Sequence, residues 1–91
     1  MFAKNVTVTN KTGLHARPAA EFVAKAKSFS SKITIKKAGS DQDPVNAKSI
    51  IRLLSVGVTQ GTEIELCADG PDETEAVNAL IELIESGFGE E

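Results

Sequence analysis

Residues 62–68 alternate between polar and apolar side chains, and this pattern limits the folds open to the chain. Ile64, Leu66 and Ala68 share one face of the predicted strand, and the residues between them share the other. A period of two predicts a half-buried β-strand, because successive side chains of a strand point to opposite faces. A sheet of such strands has one apolar face, which helices must cover.

Three further stretches indicate strands. Residues 2–9 and 32–36 both alternate, and both are rich in β-branched side chains. Residues 38–44 are rich in turn formers and predict a hairpin loop longer than a two-residue turn. Residues 44–47 predict a short, weak third strand, since Pro44 donates no ladder hydrogen bond.

Two helical segments precede the last strand. The first runs from about Ala16 to Ser28, and its apolar side chains form one stripe, consisting of Ala19, Phe22, Val23 and Ala26. The second spans residues 49–54 and carries more apolar residues than one face of so short a helix can bury. Some of them should therefore be exposed and form a contact surface.

A third helix follows the last strand. Asp72 precedes Glu75 by three residues, which is the form of a capping box. The helix is predicted to end at Gly87, with Phe88 folding back onto it and residues 89–91 fraying. Its buried stripe is predicted to contain Ala76, Val77, Leu80, Leu83 and Ile84.

The order β-α-β-β-α-β-α predicts an α+β fold, a two-layer sandwich within one domain of residues 1–91. The formal net charge is −3 and the sequence pI is about 5.1. An acidic chain argues against nucleic acid or an anionic membrane as the main partner, since both attract basic surfaces. No apolar segment approaches the roughly 20 residues of a membrane span, and no signal peptide is visible, so we expect a cytoplasmic protein.

The chain has one histidine and one cysteine, Cys67. It therefore cannot form an internal disulfide, and no residues have metal-ligand spacing. We expect no metal and no cofactor, and Cys67 is predicted to pack as a small residue without chemistry of its own.

The single histidine lies in Gly13-Leu14-His15-Ala16-Arg17-Pro18, between turn-forming residues and the first helix. Proline is favoured in the first helical turn, so His15 should lie at or near the helix N-cap and Arg17 in the first turn. Unpaired N–H groups of a helix N-terminus bind phosphate, and an arginine adds a planar set of donors. A neutral imidazole is a nucleophile near pH 7. A plain cap or surface histidine is the alternative.

The stretch Gly13-Leu14-His15-Ala16-Arg17-Pro18-Ala19-Ala20 resembles the active-site signature of the HPr family, the histidine-containing phosphocarriers of the bacterial phosphotransferase system. Residues 46–57, Asn-Ala-Lys-Ser-Ile-Ile-Arg-Leu-Leu-Ser-Val-Gly, resemble the second signature of that family, around its regulatory serine. The order, separation and total length also fit. The resemblance implies an open-faced β-sandwich with a four-stranded antiparallel sheet and three helices on one face.

The resemblance further implies a carrier, not an enzyme that turns over a substrate alone. His15 would accept a phosphoryl group at Nδ1 from phosphorylated Enzyme I and pass it to sugar-specific IIA or IIB components for sugar uptake. Arg17 would be the charge partner of that group. Partner contacts are implied for Thr12, Ala16, Pro18, Ala20, Ile50, Ile51 and Leu54. For Thr12, plain turn chemistry is the alternative. For Ile50, Ile51 and Leu54, the alternative is that two of the three belong to the core.

Ser49 matches the serine that HPr kinase/phosphorylase modifies in many relatives, although a helix N-cap alone would also explain a serine there. Arg52 stands where glycine is common in the family, which leaves regulation through Ser49 open. The nitrogen-regulatory branch of the system is an alternative within the family. A regulatory docking domain that binds a kinase or a transcription regulator is an alternative outside carrier function. We expect a monomer.

Overall fold

The computed structural model describes residues 1–89. Its elements, in chain order, are β1 (Phe2–Thr7), α1 (Ala16–Lys27), β2 (Lys32–Lys37), β3 (Val45–Asn46), α2 (Ile50–Val56), β4 (Glu63–Asp69), α3 (Glu73–Glu85) and a final 3₁₀ turn (Gly87–Gly89). Each predicted element is present, and its ends coincide with the predicted ones or differ by at most three residues. Fraying at Glu90 and Glu91, which we expected from the sequence, lies outside the described residues.

The four strands form one sheet in the order β1-β4-β2-β3, and all neighbouring strands are antiparallel. β4 therefore lies in the interior of the sheet, where residues 63–68 pair with β1 and residues 64–69 pair with β2. Among the described helices, none is long and apolar enough to cross a membrane. The predicted open-faced sandwich, with its antiparallel sheet and three helices, is confirmed.

The core lies between the sheet and the helices. From β4 it takes Ile64, Leu66 and Ala68, all fully buried, as the alternating pattern predicts. The stripes of α1 and α3 cover them and bury Ala19, Phe22, Val23, Ala26, Ala76, Val77, Leu80 and Ile84. Leu83, predicted to be core, is only half-buried. Phe88, which was predicted to fold back onto α3, is buried as part of the same core.

The predicted capping box of α3 is wrong. Asp72 is the N-cap residue, but its side chain makes no capping hydrogen bond. Its carboxylate instead accepts hydrogen bonds from the backbone N–H groups of Ser30 and Ser31, both at 2.9 Å, and from the Ser31 hydroxyl. The carboxylate therefore joins α3 to the segment before β2 and does not serve its own helix.

Candidate functional site

His15 is the N-cap residue of α1, as the position of Pro18 predicts. Its backbone is extended, with φ −134° and ψ 160°, and the residue is half-buried. Within residues 1–89, the imidazole makes no capping hydrogen bond to its helix. The first turn of α1 contains no acidic residue. The imidazole is thus beside the positive end of a twelve-residue helix, where an added anion is stabilised.

The chain enters the helix through a strained residue. Ala16 has φ 53°, in the left-handed region that residues with a Cβ rarely adopt. This conformation costs about 1–2 kcal/mol for an L-residue other than glycine. Ala16 is exposed, whereas Pro18 is buried against the core and fixes the first turn. The abrupt change of direction at Ala16 separates the extended His15 backbone from the helix.

Arg17 projects into solvent, with its side chain 87% exposed. Its Nε lies 3.6 Å from a carboxylate oxygen of Glu21, one helical turn further on. An exposed pair of this kind is weak, about 0–1 kcal/mol, so the guanidinium can exchange this partner for a stronger anion. Arg17 thus lies in the first turn of α1, two residues after the N-cap His15, as predicted.

The loop before His15 is held by contacts that sequence reasoning did not identify. Gly13 has φ +65°, and a Cβ there would overlap the Val58 carbonyl and lie 2.7 Å from Cα of Thr59. Leu14 is fully buried and donates its N–H to the Val58 oxygen at 3.1 Å. The loop is thereby fixed against the segment that follows α2.

Asn10 holds the same loop from the other side. Its Nδ2 donates to the Gly13 carbonyl at 3.0 Å and to Oγ1 of Thr12 at 3.3 Å. The sequence indicates only a turn at these residues. An asparagine three residues before a glycine is compatible with any turn, and its burial is not visible in the sequence.

α2 presents an apolar surface next to α1. Leu53 and Val56 of this helix are buried, whereas three other apolar side chains are exposed. We name the exposed set, Ile50, Ile51 and Leu54, the α2 patch. Ile51 is the most exposed, at 78%. The alternative in which two of these three side chains belong to the core is therefore wrong.

A shallow groove joins the α2 patch to α1. It is lined by Ala20, Val23, Ala24, Lys27 and Ile50. Ala20 is exposed and lies one helical turn after Ala16, so the groove leads from the α2 patch toward the first turn of α1. Ile50 of the α2 patch and Ala20 of α1 thus line the same groove.

Ser49 is the N-cap of α2, and its Oγ accepts a hydrogen bond from the Arg52 N–H at 3.4 Å. The predicted cap is therefore confirmed. Ser49 is half-buried, while the Arg52 side chain is exposed. Lys48, beside it, donates to the Phe29 carbonyl at 2.8 Å and so connects this end of α2 to the end of α1.

Comparison with known proteins gives a consistent result. A family model described as "PTS HPr component phosphorylation site" matches residues 2–86. Phosphocarrier protein HPr of Haemophilus influenzae is 45% identical over 84 residues, which cover 92% of this chain and 95% of that protein. HPr-like protein Crh of Halalkalibacterium halodurans is 51% identical over 85 residues, covering 93% of this chain and 98% of that protein.

A solved structure has the same fold as this chain. The crystal structure of HPr-C-His from Thermoanaerobacter tengcongensis matches with a TM-score of 0.93 and 53% sequence identity. The match covers 100% of this chain and 99% of the other.

Proposed function

Because the chain belongs to the HPr family of phosphocarrier proteins, we propose that His15 accepts a phosphoryl group from phosphorylated Enzyme I and passes it to a sugar-specific IIA or IIB component. In this relay the protein carries the group between two partners and turns over no substrate alone. The relay implies a cytoplasmic location, where phosphoenolpyruvate is available to Enzyme I.

The observation that carries the proposal is the placement of His15. It is the N-cap of α1, half-buried, and its imidazole is not used to cap the helix within the described residues. A carrier must stabilise a phosphoryl group without trapping it. One helix end and one solvent-exposed arginine supply moderate stabilisation, whereas a buried cage of cations would hold the group too tightly for onward transfer.

The proposed transfer is a substitution at phosphorus. The lone pair of Nδ1 forms a bond to phosphorus while the bond between phosphorus and the donor protein breaks, and the donor atom keeps that electron pair. The other imidazole nitrogen retains its proton. The Arg17 guanidinium leaves Glu21 and pairs with the phosphoryl group. Its planar set of N–H donors can form two charge-assisted hydrogen bonds to the phosphoryl oxygens. Onward transfer reverses these steps with a new acceptor.

The α2 patch and the adjoining groove are the proposed docking surface for both partners. Exposed apolar side chains with a charged rim suit short-lived complexes, whose interfaces are small. Lys27 and Arg52 supply positive charge at this rim, although the chain as a whole is acidic. A partner with a matching negative rim would be steered to the His15 side of the molecule.

Ser49 is the proposed regulatory phosphorylation site, with HPr kinase/phosphorylase as the modifying enzyme. A phosphate on its Oγ would place about two negative charges at the start of α2, next to Ile50 of the α2 patch. The added charge would weaken docking of a partner that carries an acidic rim. The measurement is the rate of His15 phosphorylation for Ser49→Asp compared with Ser49→Ala.

The first experiment incubates the purified protein with phosphoenolpyruvate and Enzyme I and reads its intact mass. We expect the gain of one acid-labile phosphoryl group, which is absent in His15→Ala. A gain only with a nitrogen-type Enzyme I would assign the chain to the nitrogen-regulatory branch. No gain with either enzyme would overturn the carrier proposal.

The identity of 51% to an HPr-like protein Crh supports a second candidate, a regulatory docking domain. A pure docking domain needs neither His15 nor Arg17, so the presence of both favours the carrier. Binding of a regulator that is unchanged in His15→Ala, together with no phosphoryl acceptance, would favour the docking domain. One solved relative is named an HPr dimer, so the expected monomer is a prediction to be checked by light scattering.

A further inference from the structure

Asn10 is a buried polar residue in the loop that leads to His15. It is 4% exposed, and the other buried polar residue among residues 1–89 is Ser31. Burying an amide is unfavourable unless it makes hydrogen bonds. A residue that only has to form an exposed turn would not need to be buried, so the contacts of Asn10 indicate its role.

Those contacts surround the peptide units that precede His15. The backbone carbonyl of Asn10 accepts a hydrogen bond from the Gly13 N–H at 3.2 Å. The side-chain Nδ2 of Asn10 donates to the Gly13 carbonyl at 3.0 Å. The same Nδ2 donates to Oγ1 of Thr12 at 3.3 Å. Asn10 therefore holds both polar groups of the Gly13 backbone and the neighbouring hydroxyl.

The opposite side of the loop is fixed by a different segment. Gly13 packs against the backbone of Val58 and Thr59, and the Leu14 N–H is bonded to Val58. The Gly13 carbonyl belongs to the peptide unit that ends at the Leu14 nitrogen. With one end of this unit bonded to Asn10 and the other to Val58, rotation of the unit is blocked. The His15 backbone begins one residue later and takes its direction from it.

We propose that Asn10 is a positioning residue for phosphoryl transfer at His15, acting through the Gly13 carbonyl and the Thr12 hydroxyl. The proposal rests on the proposed carrier function, and it names a residue that determines the rate of phosphoryl transfer. In-line attack on phosphorus requires a defined imidazole direction, and a displacement of about 1 Å can cost about 10²-fold in rate. Asn10 keeps the imidazole in the attacking position without touching the transferred group.

Two variants separate the amide donors from the volume of the side chain. Asn10→Asp keeps nearly the same size but replaces the NH₂ donors by a carboxylate oxygen, which repels the Gly13 carbonyl. Asn10→Ala removes the side chain beyond Cβ. The matched control is Ser31→Ala, which loses the bond from the other buried polar side chain. Ser31 bonds to Asp72 beyond the Asp69 end of β4, whereas the His15 loop lies beyond the Glu63 end.

The test measures the steady-state rate of phosphorylation of each full-length variant by phosphorylated Enzyme I. We expect kcat to fall about 10- to 100-fold in both Asn10 variants, as for a misplaced reacting group. KM should change less than twofold, because the α2 patch is intact. Ser31→Ala should keep the kcat of the wild type. An Asn10→Asp variant with wild-type kcat, or an equal fall in Ser31→Ala, would overturn the proposal.

A second readout keeps this test separate from the carrier proposal. If the unaltered protein accepts no phosphoryl group, the carrier function fails, and Asn10 is then judged by NMR of the free proteins. We expect shifted His15 imidazole ¹⁵N resonances and faster amide exchange at Leu14 in both Asn10 variants, but not in Ser31→Ala. Unchanged resonances and exchange would show that Asn10 does not position His15.

Discussion

Ser31 donates both its hydroxyl and its backbone N–H to the same carboxylate oxygen of Asp72, across 41 residues of chain. Ser30 donates its N–H to the other oxygen of that carboxylate at 2.9 Å. The Ser31 hydroxyl and these two N–H groups hold the pKa of Asp72 below its usual value of 3.8. Asp72 is the residue before α3, so the contact fixes the start of that helix to the segment before β2.

The first prediction concerns how the stability of the protein depends on pH. A carboxyl whose pKa is lowered by folding contributes its full stabilisation above its ordinary pKa and loses it as the pH falls through the folded value. We expect the free energy of unfolding to fall below about pH 4 for this reason. In Asp72→Asn this acid dependence should be smaller, while stability at pH 7 should be lower. Urea unfolding at a series of pH values measures both, and equal slopes for the two proteins would contradict the assignment.

The second prediction compares two glycines with similar backbone angles. Gly13 has φ +65° and packs against backbone, whereas Gly39 has φ +73° and nothing within 4 Å of the place where a Cβ would be. Gly39→Ala should cost only the left-handed conformation, about 1–2 kcal/mol. Gly13→Ala should cost more, because Val58 and Thr59 must also move. Chemical denaturation of both variants measures the loss in the free energy of unfolding. Equal losses would show that Val58 and Thr59 move at little cost.

The third prediction concerns the strain at Ala16. Ala16→Gly should raise the free energy of unfolding by up to about 1 kcal/mol, because glycine adopts φ 53° without the steric cost. Ala20 is on the same helix, and Ala20→Gly should lower stability by about 0.5–1 kcal/mol. Opposite signs in thermal unfolding would establish the strain. A loss of stability in both variants would argue that Ala16 is relaxed.

The fourth prediction separates the core of α2 from its exposed surface. Leu53 is fully buried, so Leu53→Ala should cost about 2–5 kcal/mol of stability. Ile51→Ala should change stability by less than about 0.5 kcal/mol, since Ile51 is 78% exposed. If the α2 patch is the docking surface, Ile51→Ala should raise KM for Enzyme I about fivefold or more. An unchanged KM would move the docking surface elsewhere.

The fifth prediction concerns the pair formed by Arg17 and Glu21. Both Arg17→Ala and Glu21→Ala should change stability by less than about 1 kcal/mol, because the pair is exposed. Arg17→Ala should lower the rate of phosphoryl transfer about 10²-fold, as for loss of one donor to a developing anion. Glu21→Ala should keep or raise that rate, since it releases the guanidinium. If both substitutions lowered the transfer rate equally, the ion pair and not the Arg17 cation alone would be what supports transfer.

Local sequence patterns predicted most of the fold. The alternation in β4, the stripes of α1 and α3, and the position of Pro18 all concern residues within a few positions of each other. Their effects on the backbone depend on side-chain period and on φ, which each segment carries by itself. For the same reason, His15 at a helix N-cap and Arg17 in the first turn followed from the sequence.

Long-range contacts decided what the sequence left open. Asp72 has the local form of a cap, but Ser31 offers its carboxylate two donors, so the tertiary contact replaced the local one. Burial of Asn10 depends on its surroundings in the folded chain, and exposure of Ile50, Ile51 and Leu54 depends on which face of α2 turns inward. Period and turn chemistry thus determined the elements and the position of His15. Only packing between distant segments determined which polar groups are buried and which apolar side chains stay exposed.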